Sequence, residues 1–223
     1  MKRLKALWLC NIVLPEFSDF FGFKPQHHGG WMSGTYNVLK TAANIEFGFV
    51  FPVFKEERML DGQYDNAKVY SFLRGEKEPY IDYDENMVLR FVEILNDFKP
   101  DVVNIWGTEY PHSSAMFEAA KRVAISDKVV IDIQGVVSIY AKHYFIGFPP
   151  AVSEQITDGK DTFDKNGIPE RRLISECKNF MVRTDWDTAV VKQINPQANL
   201  FYSPEALRGE FYENASKWNI NIA

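Results

Sequence analysis

Cysteine is scarce in this 223-residue sequence. It holds two, Cys10 and Cys177, far apart and outside any CxxC pair. That excludes a disulfide framework or a thiolate zinc centre as the organising feature, and it points to a reducing compartment, the cytoplasm. Basic runs are lacking as well. Lys and Arg number 25 against 30 Asp and Glu, a net charge of -5. A nucleic-acid binder carries a basic face that neutralises phosphates, so nucleic acid is not expected as a partner. No apolar run approaches the roughly 20 residues that a membrane-spanning helix needs.

The opening MKRLKALWLCNIVL imitates a signal peptide, but Asn11 interrupts the apolar run and PEFSDFF offers no small-residue cleavage site. A first buried strand is the better reading. Its basic start leaves peripheral contact with the inner membrane face open. Also missing are the spaced glycines of GxGxxG, the GK[ST] of a P-loop and the GxSxG of a nucleophile elbow.

Aromatics are plentiful, with 18 Phe, 10 Tyr and 5 Trp. Such rings fill cores, and Tyr and Trp also line carbohydrate and nucleotide grooves. Apolar runs alternate with helix-period runs along the chain. LKALWLCNIV, FGFVFPVF, AKVYSFL, DVVNIWG, KVVIDIQG, NFMVRT and ANLFYS read as strands, with Pro52 placing the second at an edge or an end. Between them, Met87, Phe91, Ile94, Leu95 and Phe98 fall on one helical face, with Asp84 as N-cap and Pro100 as the stop. Helices are also expected over WMSGTYNVLKTAANI, over SSAMFEAAKRVA, from Pro169 at N1 of PERRLISECK, over DWDTAVVKQI with Asp185 as cap, and at the start of PEALRGEFYENASKW. Strand–helix alternation predicts an α/β class, a Rossmann-like three-layer sandwich with a mostly parallel sheet.

Such sheets bind ligands beyond the carboxyl ends of their strands. Four loops after strands, HHGGW, GTEYPHS, QGVVSIYAKHY and RTDWD, hold all four histidines. At Gly29 and Gly30 the glycine pair either exposes backbone N–H groups at a helix start, an anion cradle, or only makes a tight turn, with Gly34 letting the helix lie close to the sheet. His27 and His28 are adjacent and lack an acidic or histidine partner at helical spacing, so no metal site is expected. Glu109 and His112 form an acid/base pair or grip sugar hydroxyls. The plainer alternative makes His112 or Ser113 a helix cap and leaves Glu109 solvated. Lys142 and His143 sit among Tyr140 and Tyr144, a mix that suits sugars and phosphates, or they are the exposed basic residues of a packed aromatic helix. Arg183 clamps a phosphate or carboxylate, or it pairs with Asp185 or Asp187.

Several stretches together resemble the amino-terminal domain of a family 4 glycosyltransferase of the bacterial polysaccharide type, a retaining enzyme with the two-domain GT-B fold. They are QHHGGWMSG, KPDVVNIWGTEYPHSSAMFEAAK, VVIDIQGVVSIYAKHY and VRTDWDTAVVKQINPQANLFYSPEALRGEFY. The resemblance implies that residues 1–210 form the acceptor-side domain and 211–223 begin an interdomain linker. The carboxy-terminal donor-binding domain would then lie outside the chain, which by itself should be inactive. It implies transfer of a sugar from a nucleotide-sugar to a glycan or lipid-linked acceptor in capsule or exopolysaccharide assembly, with no metal or other cofactor. Gly29 and Gly30 match the family's glycine loop, which approaches the donor diphosphate. Gln134 falls where many members place a histidine that reaches toward the transferred sugar; with His112 only a distant substitute, no catalytic residue is assigned. Glu205 and Glu213 reproduce the family's E-x7-E spacing, but that motif belongs to the second domain, and here the match is coincidental. The rival reading is a stand-alone Rossmann-like module that binds a nucleotide or sugar phosphate without catalysis. A third reading is a hydrolase built on Glu109 and His112.

Overall fold

The structure is a computed structural model that describes residues 3–24, 28–41, 44–74, 83–149 and 158–217. Eight strands form one sheet: β1 (Leu4–Leu9), β2 (Ile45–Val53), β3 (Gly62–Tyr64), β4 (Ala67–Leu73), β5 (Val102–Trp106), β6 (Val129–Asp132), β7 (Asn179–Val182) and β8 (Asn199–Tyr202). Their order is β3-β4-β2-β1-β5-β6-β7-β8. All neighbours are parallel except β3 and β4, which are antiparallel. The described helices are α1 (Gly30–Leu39), α2 (Glu85–Phe98), α3 (Pro111–Arg122), α4 (Val137–His143), α5 (Asp158–Glu176), α6 (Asp185–Ile194) and α7 (Gly209–Glu213). The expected Rossmann-like α/β sandwich is the observed one.

Residue parity along each strand sorts side chains between two cores. Trp8, Phe47, Phe49, Phe51 and Trp106 face one way and pack with Phe17, Phe21 and Tyr36 of the β1–α1 connection and α1. Trp8 meets Phe47, Phe49 and Trp106 edge-on at 5.6, 5.5 and 5.1 Å between ring centroids, contacts worth about 1 kcal/mol each beyond area burial. Leu7, Leu9, Val50, Tyr70 and Phe72 face the other way, onto Val88, Phe91, Ile94, Leu95 and Phe98 of α2. The aromatic surplus thus fills a core, largely the one under α1.

Several local expectations are revised. β2 is an interior strand, between β1 and β4, so the edge alternative for Pro52 falls, while the other holds: Pro52 stands at the strand's end, one residue before Val53. Val50 accepts a hydrogen bond from the Cys10 N–H, on the β1 side. Pro52, two residues on, therefore turns its missing N–H toward the same side, beyond the last β1 partner, Leu9, where no ladder bond is lost. Pro169 lies inside α5 instead of opening it; the helix is held there by contacts to α4 and by the buried Glu170. Thr184, not Asp185, caps α6, in a reciprocal capping box with Asp187. Tyr110 is the N-cap residue of α3, with Pro111 opening the helix, so His112 and Ser113 lie within it. Residues 203–208 are not helical, and α7 straddles residue 210. The short β3 went unread.

Candidate functional site

Parallel strands point their carboxyl ends to one edge, and the strand order reverses between β1 and β5. A crevice opens at such a switch point. Here it is an open cleft of about 460 Å³, lined by Asn11 and Ile12 after β1, His28 to Trp31 at the start of α1, Tyr110 after β5, and Arg208.

The start of α1 has an unusual local chemistry. Gly29 is left-handed at φ 68°, and a Cβ there would stand 2.6 Å from Ile12 Cδ1, so both conformation and space call for glycine. No side chain caps the helix, and no acidic residue lies in its first turn. The leading N–H groups of a ten-residue helix thus end at the cleft, where the helix carries partial positive charge. Arg208 lies on this terminus. A Cβ on Gly30 would meet its guanidinium at 2.7 to 3.0 Å. The strand-to-strap segment that brings it, residues 203–208, crosses α1 so closely that a Cβ on Gly34 would stand 2.5 Å from the Leu207 carbonyl oxygen. Gly34 therefore makes room for this strap, not for the sheet.

Asn11 is 9% exposed. Its Nδ2 donates to Gln134 Oε1 at 3.3 Å, while its Oδ1 and Gln134 Nε2 find no hydrogen-bond partner, nor does Trp31 Nε1. Of these residues, Asn11 and Trp31 line the cleft. Gln134, after β6, thus reaches across to the β1 loop.

The remaining site residues divide. Arg183 Nη2 donates to the Gln134 carbonyl at 2.6 Å, Nη1 pairs with Glu205, and Nε lies 3.8 Å from Asp187. Its charge is engaged within the fold and ties the strap to the sheet. His112 is wholly buried, stacked on Tyr110 at 5.0 Å and tilted against Phe72 at 5.2 Å. Glu109 accepts from the Thr108 N–H at 2.8 Å; burial, with the nearby Glu170 charge, pushes its carboxyl up to about 7. Lys142 and His143 are exposed on the last turn of α4 and do not line the cleft. His28 lines it; His27 lies outside the described residues.

Two residues of the carboxyl edge were not read from the sequence. One is Arg208. The other is Glu170, whose carboxylate accepts from Val137 N at 3.0 Å, Ser138 N at 2.8 Å and Thr108 Oγ1 at 2.9 Å. It caps α4 from a different helix, and burial raises its carboxyl above the usual range. Asp132, also buried, is pushed up to about 7 by the same cause, against the attraction of Arg183. Among the described residues no group of three or more His, Cys, Asp or Glu side chains converges as ion ligands, and no helix is long and apolar enough to cross a membrane.

No family model and no curated protein sequence matches the chain. In three dimensions it is similar to UDP-N-acetylglucosamine 2-epimerases. One crystal structure aligns at TM-score 0.51 and 15% identity over 92% of this chain and 47% of that one. The enzyme from Neisseria meningitidis bound to UDP-GlcNAc aligns at 0.52 and 14%, over 98% and 51%. A putative enzyme from Listeria monocytogenes aligns at 0.52 and 12%, over 90% and 45%. At these identities the likeness establishes the fold, that of a Rossmann-like half of a GT-B protein. The chain spans about half the length of the structures it matches.

Proposed function

We propose that the chain is the acceptor-side domain of a retaining glycosyltransferase that moves a sugar from a nucleotide-sugar to a glycan or lipid-linked acceptor, in capsule or exopolysaccharide assembly. The observation that carries this reading is the uncapped start of α1 at Gly29 and Gly30, opening on the switch-point cleft with Arg208 laid across it. An acceptor hydroxyl oxygen bonds to the anomeric carbon and gives up its proton to the departing diphosphate. The bond from that carbon to the diphosphate oxygen breaks, and its electron pair stays on the diphosphate. Backbone N–H groups and a guanidinium stabilise such a leaving group without a metal. The unpartnered Oδ1 of Asn11, on a residue that lines the cleft, is placed for a sugar hydroxyl. Residues 1–210 form the domain in this reading, and the donor nucleotide is held mainly by a second domain.

The test uses the natural protein that carries this chain. With nucleotide-sugars and a glycan acceptor it is expected to form a glycoside of the donor's own anomeric configuration, read from the anomeric proton coupling. Arg208→Gln is expected to lower kcat about a hundredfold at an unchanged unfolding midpoint, and residues 1–223 by themselves should not turn over. An inverted product, or an epimerised nucleotide-sugar without transfer, overturns the reading.

A further inference from the structure

A second cavity, of about 280 Å³, opens beside the cleft and shares Asn11 and Ile12 with it. It lies at the carboxyl ends of β1, β2 and β4, and the sequence singles out no residue of it as a site. Val13, Phe23, Pro52 and Phe54 wall it. Besides these apolar walls the lining holds four polar side chains, Asn11, Ser18, Lys24 and Arg74. At the roughly 30 Å³ that a water molecule occupies in the liquid, the space takes about ten heavy atoms, a ring or a short branched chain.

Among the described residues that line it, the polar side chains include two cations, Lys24 and Arg74, and no carboxylate. The Arg74 guanidinium is held over the Tyr110 ring at 4.7 Å and the Phe54 ring at 5.9 Å, contacts that fix a cation in place. Phe54 is 57% exposed although it forms a wall, so the cavity presents an unusual apolar face to solvent. Apolar walls with two cations complement a ligand that is apolar at one end and anionic next to it. Asn11 stands where the two spaces join, with its buried Oδ1 able to accept a hydrogen bond from a hydroxyl.

We propose that this cavity binds an apolar group of about ten carbon atoms carrying a phosphate or carboxylate, and that this is the anchoring end of the acceptor. The anion meets Arg74 and Lys24, and the remainder of the acceptor passes Asn11 into the cleft, where its hydroxyl lies before the start of α1. The binding stands on the cavity alone; only its assignment to the acceptor rests on the transferase reading.

Calorimetric titration of the protein with geranyl phosphate tests it, with geraniol and inorganic phosphate as separate arms. Geranyl phosphate is expected to bind with a Kd of about 1 mM or tighter, at least about tenfold tighter than either arm, because only it fills both the wall and the cation pair. Phe54→Ser and Lys24→Gln change exposed residues and are each expected to weaken it several-fold, with the unfolding midpoint unchanged. Equal affinity for inorganic phosphate and geranyl phosphate overturns the apolar part. Equal affinity for geraniol overturns the anionic part, and insensitivity to both variants overturns the site. If the cavity fails these tests while the natural protein still transfers sugar and still depends on Arg208, this inference falls and the transferase reading stands. If geranyl phosphate binds as expected but does not compete with the acceptor, the acceptor assignment falls.

Discussion

Two halves of one sheet edge carry similar residue types and use them oppositely. Beyond β6 and β7, the charged groups are satisfied by their neighbours, although Gln134 Nε2 and Ser138 Oγ are left without partners. Glu170 takes three hydrogen bonds, Asp187 takes the N–H groups of Arg183 and Thr184, and Arg183 serves Gln134 and Glu205. Beyond β1 and β5, α1 begins without a side-chain cap, and Asn11 Oδ1 and Trp31 Nε1 are left without partners beside a cleft. The first half is a joint and the second is a site. The difference also warns against reading raised carboxyl pKa values as catalytic marks. Desolvation pushes the carboxyls of buried Asp132 and partly buried Glu109 up to about 7, with the Glu170 charge adding at Glu109, and no catalytic role is needed for that.

If the joint is structural, its largest effect is on stability. Glu170→Ala leaves two backbone N–H groups and a hydroxyl without their acceptor in a buried setting, and is expected to cost about 4 kcal/mol, read as a fall in the urea midpoint. A loss below about 1 kcal/mol would erase the distinction between the halves. Next in size is a pH effect. Glu109 is raised to about 7 from 4.5, so the folded state holds a proton that the unfolded state has released between those values. Its contribution is fully present below pH 4.5 and is lost as pH rises toward 7. Glu109→Gln should flatten that part of the stability–pH curve and gain roughly 3 kcal/mol at pH 8, measured by denaturant titration across pH 4 to 8. A variant curve that keeps the wild-type slope would put the proton elsewhere.

A smaller effect is expected where the halves are strapped together. Gly34→Ala sets a Cβ against the Leu207 carbonyl and should lift the strap at a cost of about 1–2 kcal/mol. Faster hydrogen exchange confined to residues 203–212 would record it, whereas uniform loosening of the sheet would contradict it. Smallest of all in stability is Asn11→Ala, expected to cost about 1 kcal/mol, because it loses only the 3.3 Å bond from Nδ2 to Gln134 while its Oδ1 bonds to nothing in the fold; ligand binding in the cleft is where it should tell.

The sheet was legible because its strands are short apolar runs broken by turn residues, and α2 because five large apolar residues fall on one face. Asp84 caps α2 as its position predicted, accepting from the Asn86 N–H. What escaped depends on contacts between distant parts of the chain. Glu170 meets Thr108 across 62 positions, and no local pattern announces it. Pro169 reads as a helix start until α4 is seen to hold α5 on both sides of it. Residues 203–208 read as helical, but Glu205, Leu207 and Arg208 are drawn to Arg183, Gly34 and Gly30. Gly29 and Gly30 were visible as a turn, and Arg208 was visible only as one residue of a motif. His112 looked like a loop residue, yet Tyr110 and Pro111 start the helix earlier and turn it into the core.

The most direct test is amide NMR of the labelled chain titrated with a nucleotide-sugar. The account predicts weak binding, with the largest shifts at Asn11, Gly29, Gly30 and Trp31 and little change at Glu170 or Arg183. Shifts centred on Glu170 and Arg183, with the start of α1 silent, would contradict it.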